Sequence, residues 1–96
     1  MKIFISMPMA GKTDEQIKER LVEIKRKIKD GFSDVEFIDS YFGDTSKENP
    51  VEMLGKSIQK MAEADAVYFC VGWESARGCR IEHDVAVAYN KVCIYE

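Results

Sequence analysis

The chain has 96 residues, one domain by size, with 14 Lys and Arg against 17 Asp and Glu and hence a net charge of −3. A mildly acidic chain lacks the clustered positive field that a phosphate backbone demands, which argues against nucleic-acid binding as its main activity. One histidine, His83, and three cysteines without a Cys-x-x-Cys spacing argue against zinc or any other metal and suit a reducing compartment.

Residues 2–6 (KIFIS) form a short β-rich run, followed by a turn-like stretch over 7–12. No signal-peptide pattern follows the start, and no apolar run approaches the roughly 20 residues of a membrane helix, so the chain reads as cytoplasmic, with no membrane partner. Thr13 then opens a helix. Gln16 three residues on completes a capping box, and Asp14 and Glu15 suit the positive helix end. Ile17, Leu21, Ile24 and Ile28 recur on one helical stripe. Lys25, Arg26, Lys27 and Lys29 fill the last turns as a solvated face, and Gly31 is placed to end the helix.

Residues 35–39 (VEFID) are a second strand candidate, and 40–48 read as a loop. Asn49 as N-cap, Pro50 at the first helical position and Glu52 at the third start a second helix. Its buried stripe is expected at Val51, Leu54, Ile58, Met61 and Ala62. The apolar run 66–71 (AVYFCV) reads as a strand covered on both faces. A loop over 72–78, a helix over 79–90 and a last strand over 91–96 complete the chain.

The order is therefore βαβαβαβ. It predicts a flavodoxin- or Rossmann-like α/β fold, a three-layer sandwich around four parallel strands. In such folds a ligand sits beyond the C-terminal strand ends, near the switch in strand order. Three segments lie there: 6–12, 39–48 and 72–78.

With a single histidine, carboxylates are the better agents of any catalysis. Glu82 falls in or just beyond the first turn of the third helix. There the dipole would keep it ionised, as suits a nucleophile, or Glu82 would serve only to complement that dipole. Asp65 lies at an unfavourable helix C-terminus, which leaves a turn, a hydrogen bond or chemistry as its reason. Trp73 either stacks on a flat ring or caps the core. The loop over 7–12 is too poor in glycine for a dinucleotide or Walker A fingerprint, yet it can leave N–H groups free for an anion, with Lys12 as counter-charge. His83-Asp84 lacks a second histidine and reads as surface. Cys79 at a helix start has the position for a lowered pKa but no base on its own helix face.

Three segments together resemble a known superfamily. Ile5-Ser6-Met7-Pro8-Met9-Ala10-Gly11 is similar to the first-strand loop of the nucleoside 2-deoxyribosyltransferase-like proteins, closest to their small DUF4406-type bacterial and phage members. Ala64-Asp65-Ala66-Val67 resembles their Ala-Asp-hydrophobic step. Gly72 to Glu82 resembles their Ser-x-Gly-x-x-x-Glu element, with Ala76 standing where the hydrolases hold phosphate with a serine. The likeness runs over essentially the whole chain.

The resemblance implies cleavage or transfer of an N-glycosidic bond in a nucleoside or nucleoside 5′-monophosphate, without a cofactor. Glu82 would be the nucleophile at the anomeric carbon, and Asp65 the acid that orients substrate and assists departure. Ser6, Met7, Pro8, Met9 and Gly11, with Trp73, Ser75 and Gly78, would line the pocket, and Lys12 or Arg77 would meet a phosphate. A homodimer or higher homo-oligomer is implied as well. The alternative is a non-catalytic nucleotide-binding or sensing domain of the same shape.

Overall fold

The computed structural model describes residues 1–38 and 49–96. The elements follow the predicted order: β1 (Lys2–Ser6), α1 (Asp14–Gly31), β2 (Glu36–Ile38), α2 (Pro50–Ala62), β3 (Ala66–Phe69), α3 (Arg77–Ala88) and β4 (Val92–Tyr95). A short 3-10 turn, Trp73–Ser75, precedes α3. The loop segment 39–48 singled out in the sequence lies outside the described residues.

All strand pairs are parallel, in the order β2-β1-β3-β4. The chain winds outward from β1 to β2, then crosses to β3 on the other side of β1. The switch point therefore falls between β1 and β3, where Ser6 pairs with Phe69.

Side chains alternate along β1 and sort into two cores. Ile3, Ile5 and Met7 pack with Ala66, Tyr68 and Cys70 beneath the α1 stripe of Ile17, Leu21, Ile24 and Ile28. Phe4 faces the other way, with Val67, Phe69, Met61, Ala64 and Ala86. So α1 alone covers one face, and α2 with α3 covers the other. Ser6, two residues beyond Phe4, continues on the α3 side.

Local sequence accounts for the helix starts. Thr13 and Gln16 form both bonds of the capping box. The Asn49 side chain accepts from Val51 N at 2.8 Å, with Pro50 at the first helical position.

Several boundaries differ from expectation. Gly31 is the last residue of α1, and Phe32 caps it in an extended conformation. The left-handed turn falls at Asp34 instead (φ 55). In α2 only Met61 is buried, Leu54 and Ile58 are half-buried, and Val51 is 77% exposed. The three-residue β2 supplies one side chain, Ile38, to that layer, so the front of α2 has little sheet to bury against. The strand run 66–71 ends at Phe69: Cys70 is still buried, but Val71 turns out to solvent.

The largest difference is at α3, which begins at Arg77 and not at Cys79. Gly72 takes φ 92, a left-handed conformation favoured by glycine, and a Cβ there would come within 3.6 Å of Pro8 Cγ. The chain thus folds tightly into the 3-10 turn, which frees Ala76 to act as N-cap. Arg77 and Gly78 become the first turn of the helix, and Glu82 moves into its second.

Among the described residues no helix is long and apolar enough to cross a membrane.

Candidate functional site

Cys79, Glu82 and Ala86 form the buried stripe of α3. Their i, i+3, i+7 spacing aims all three at the sheet, so a carboxylate occupies a core-facing position. Its partner comes from the end of β1. Ser6 Oγ donates to Glu82 Oε1 at 2.9 Å. Ser6 is 1% exposed and Glu82 7%. The pair lies at the C-terminal edge of the sheet, beside the switch point.

Burial pushes the Glu82 carboxyl up to about 7, because a charge is poorly solvated there. The Ser6 hydroxyl pulls the other way by stabilising the anion, but is the weaker influence. This corrects the expectation of a dipole-stabilised anion. Glu82 is a full turn into α3, beyond the reach of the helix end, and burial raises its carboxyl toward neutral pH.

Cys79 is also corrected. It is 4% exposed, and burial pushes its thiol up and not down. The adjacent Ser6 hydroxyl opposes that rise, and Glu82 adds to it. Cys70, on the α1 side, is pushed up to about 12, chiefly by burial. Neither has the low pKa of a nucleophilic thiol.

The structure does not bring Asp65 to Glu82. Asp65 precedes β3, at the N-terminal edge of a parallel sheet, whereas Glu82 lies at the C-terminal edge. Asp65 Oδ2 accepts from Lys2 N at 2.8 Å, and Asp65 N donates to Lys2 O at 2.8 Å. The reason for an acid at this helix end is therefore a clamp on the start of β1. Met7 is buried in the α1-side core and Met9 packs against the same core, so Met7 presents little side chain to a ligand.

The remaining pocket candidates gather at the correct edge without converging on Glu82. Pro8 abuts Gly72, which joins the loops after β1 and β3. Lys12 Nζ donates to Pro8 O at 3.0 Å, so this cation ties down its own loop. Gly11, Ser75, Arg77 and Gly78 are exposed. Ala76 provides no side-chain cap, which leaves the first N–H groups of α3 without a capping side chain. An open cleft of about 460 Å³ runs outside α3, lined by Trp73, Arg77, Arg80 and Asp84 among others. Glu82 faces the sheet and is not part of its lining.

Two features escaped the sequence reading. His83 is not plain surface. Its ring stacks on Trp73 at 4.2 Å and meets the edge of Phe69 at 4.9 Å, and its Nε2 lies 2.7 Å from Tyr95 Oη. Trp73 thereby caps the core, and does so partly through His83. The spacing 79, 82, 83, 86 could have shown it, since His83 flanks the sheet-facing stripe.

The second feature is Glu96, after β4. It accepts from Arg20 at 2.6 Å, Lys27 Nζ at 2.8 Å and Val71 N at 2.9 Å. Arg20 and Lys27, seven apart on α1, share one helical stripe, which was the available signal. Burial alone would push the Glu96 carboxyl up, but these three donors together hold it down to about 2.

The molecule is a small doubly wound α/β protein in which, among the described residues, the buried carboxylate of Glu82 pairs with a hydroxyl beside the switch point. The chain belongs to the family described as Domain of unknown function (DUF4406), whose model matches residues 1–95. No curated protein and no solved structure gives a significant match.

Proposed function

We propose that this protein cleaves or transfers the N-glycosidic bond of a nucleoside or nucleoside 5′-monophosphate, with Glu82 as nucleophile. The observation that carries the reading is the Glu82 carboxyl itself: buried, at the switch point, and ionisable around neutral pH. The resemblance to the nucleoside 2-deoxyribosyltransferase-like superfamily supplies the reaction class. In that chemistry the Glu82 carboxylate attacks the anomeric carbon, and the carbon–nitrogen bond breaks. The electron pair leaves with the base, which takes up a proton. Water or a second base then resolves the glycosyl ester. The uncapped N–H groups at the start of α3, where Arg77 is the first residue, suit a phosphate. Asp65 has no part in this scheme, because it stands at the other edge of the sheet.

Three free cysteines suit a reducing, cytoplasmic setting. Val87, Tyr89, Val92 and Tyr95 are exposed on and beside the edge strand β4, which favours a homodimer or larger homo-oligomer.

The direct test is release of free base from a panel of nucleosides and their 5′-monophosphates, measured by chromatography. Wild type should release base, and Glu82→Ala should lower the rate by at least about 100-fold. No release by wild type, or equal release by the variant, would sink the reading. One observation favours a second reading, a non-catalytic nucleotide sensor: among the described residues no other carboxylate bonds to or faces Glu82. That reading predicts a nucleotide-induced rise in melting temperature without product, retained in Glu82→Gln.

A further inference from the structure

The two oxygens of Glu82 are not equivalent. Oε1 accepts from Ser6 Oγ at 2.9 Å. Among the described residues no donor meets Oε2. Yet none of the fully buried side-chain oxygens there lacks a hydrogen-bond partner. Oε2, without such a donor, is therefore not fully buried.

Ser6 cannot itself offer much to a ligand, because it is 1% exposed. Its hydroxyl has one proton, and two groups beside it could take that proton: Glu82 from one turn of α3 and the Cys79 thiol from the turn before. The bond is formed to Glu82. The Cys79 thiol, pushed up by burial, keeps its own proton and does not compete as an anion.

We propose that Ser6 is the positioning residue of Glu82: its hydroxyl anchors Oε1 against the end of β1 and presents Oε2 as the reacting oxygen. The proposal rests on the reading of Glu82 as the reacting carboxylate, and it replaces a substrate-lining role for Ser6. A fixed acceptor oxygen also fixes where the neutral form carries its proton. With Oε1 occupied by a donor, the proton of the acid sits on Oε2, where solvent or substrate can exchange it. The groups facing Glu82 are the Ser6 hydroxyl from β1 and the Cys79 thiol from its own helix. Burial is the larger influence on its ionisation, and the Ser6 hydroxyl is the one side-chain donor that opposes it among the described residues.

The test is a pH titration of the Glu82 side-chain carboxyl by carbon-13 NMR, with the resonance assigned by its loss in Glu82→Gln. Wild type should titrate near 7. Ser6→Ala should titrate higher by about one pH unit, the size expected when a carboxylate loses one neutral donor. Ser6→Thr, which restores the hydroxyl, should return toward wild type. An unchanged or lower titration in Ser6→Ala, or no recovery in Ser6→Thr, overturns the assignment. The same variants in the base-release assay should move the midpoint of kcat/KM against pH by the same amount. If wild type releases no base, the proposed reaction fails, while the NMR titration still decides the role of Ser6.

Discussion

Glu82 and Glu96 stand at the same edge of the sheet, on opposite faces, and are held in opposite ways. Glu96 lies under α1 with two cations and a backbone N–H as donors, and is held down to about 2. Glu82 projects from α3 toward the sheet, with one hydroxyl as donor, and is pushed up to about 7. Both are largely buried. The difference comes from the number and charge of the donors, not from burial alone. A carboxylate with full compensation is a structural tie, here joining α1 to the end of β3. One with a single neutral donor stays poised between two protonation states, which is what acid–base or nucleophilic work requires.

The contrast has opposite consequences for stability against pH, and these are the first ways to break it. The folded chain keeps the Glu82 proton up to about pH 7, whereas the unfolded chain releases it near 4.5, the ordinary glutamate value. Between those values the folded state binds more protons, so stability falls as pH rises. The whole span is worth about 3 kcal/mol. Glu82→Gln should therefore be more stable than wild type at pH 8 by on the order of 3 kcal/mol, with the gain gone near pH 4.5. Urea unfolding at the two pH values checks it. An equal effect at both would mean that Glu82 is not held neutral by the fold.

Glu96 runs the other way. Its folded carboxyl ionises near 2 and its unfolded one near 4.5, so its contribution is present above 4.5 and is lost as pH falls toward 2. Lys27 is half exposed, and solvent screening reduces the pair's worth. Glu96→Gln should cost about 1–2 kcal/mol at pH 7 and much less near pH 2.5. A cost that does not shrink in acid would show that Glu96 acts through packing rather than charge.

A third carboxylate, Asp65, is held differently again. Asp65 is exposed and bonded to Lys2 N, at the edge remote from Glu82. Asp65→Asn should cost about 1 kcal/mol or less and leave base release unchanged. A large loss of activity in that variant would restore Asp65 to the site.

The fold was legible because periodicity and caps agreed. The stripe Ile17, Leu21, Ile24, Ile28 and the caps at Thr13 and Asn49 appear as read. Alternation of strands and helices was enough for the parallel sheet. The site was less legible. Glu82 stands out in the sequence as a carboxylate near a helix start, but α3 begins two residues earlier than its spacing suggests, which moves Glu82 from the helix end into the core. Asp65 was singled out for its awkward helix position, and only the three-dimensional path shows that it clamps β1. His83 and Glu96 depend on contacts between residues 12 to 76 positions apart; helical spacing marks the faces involved but not the partners they meet.

If Glu82 reacts as a carboxylate poised near neutral pH, the rate of base release must follow its ionisation. The most direct measurement is the pH dependence of kcat/KM for base release from the best nucleoside or nucleotide substrate, in wild type and in Glu82→Gln. In wild type the rate should rise through about pH 7 to a plateau, and release should be lost in the variant. A rate independent of pH between 5 and 9, or a variant that keeps the wild-type profile, would contradict it.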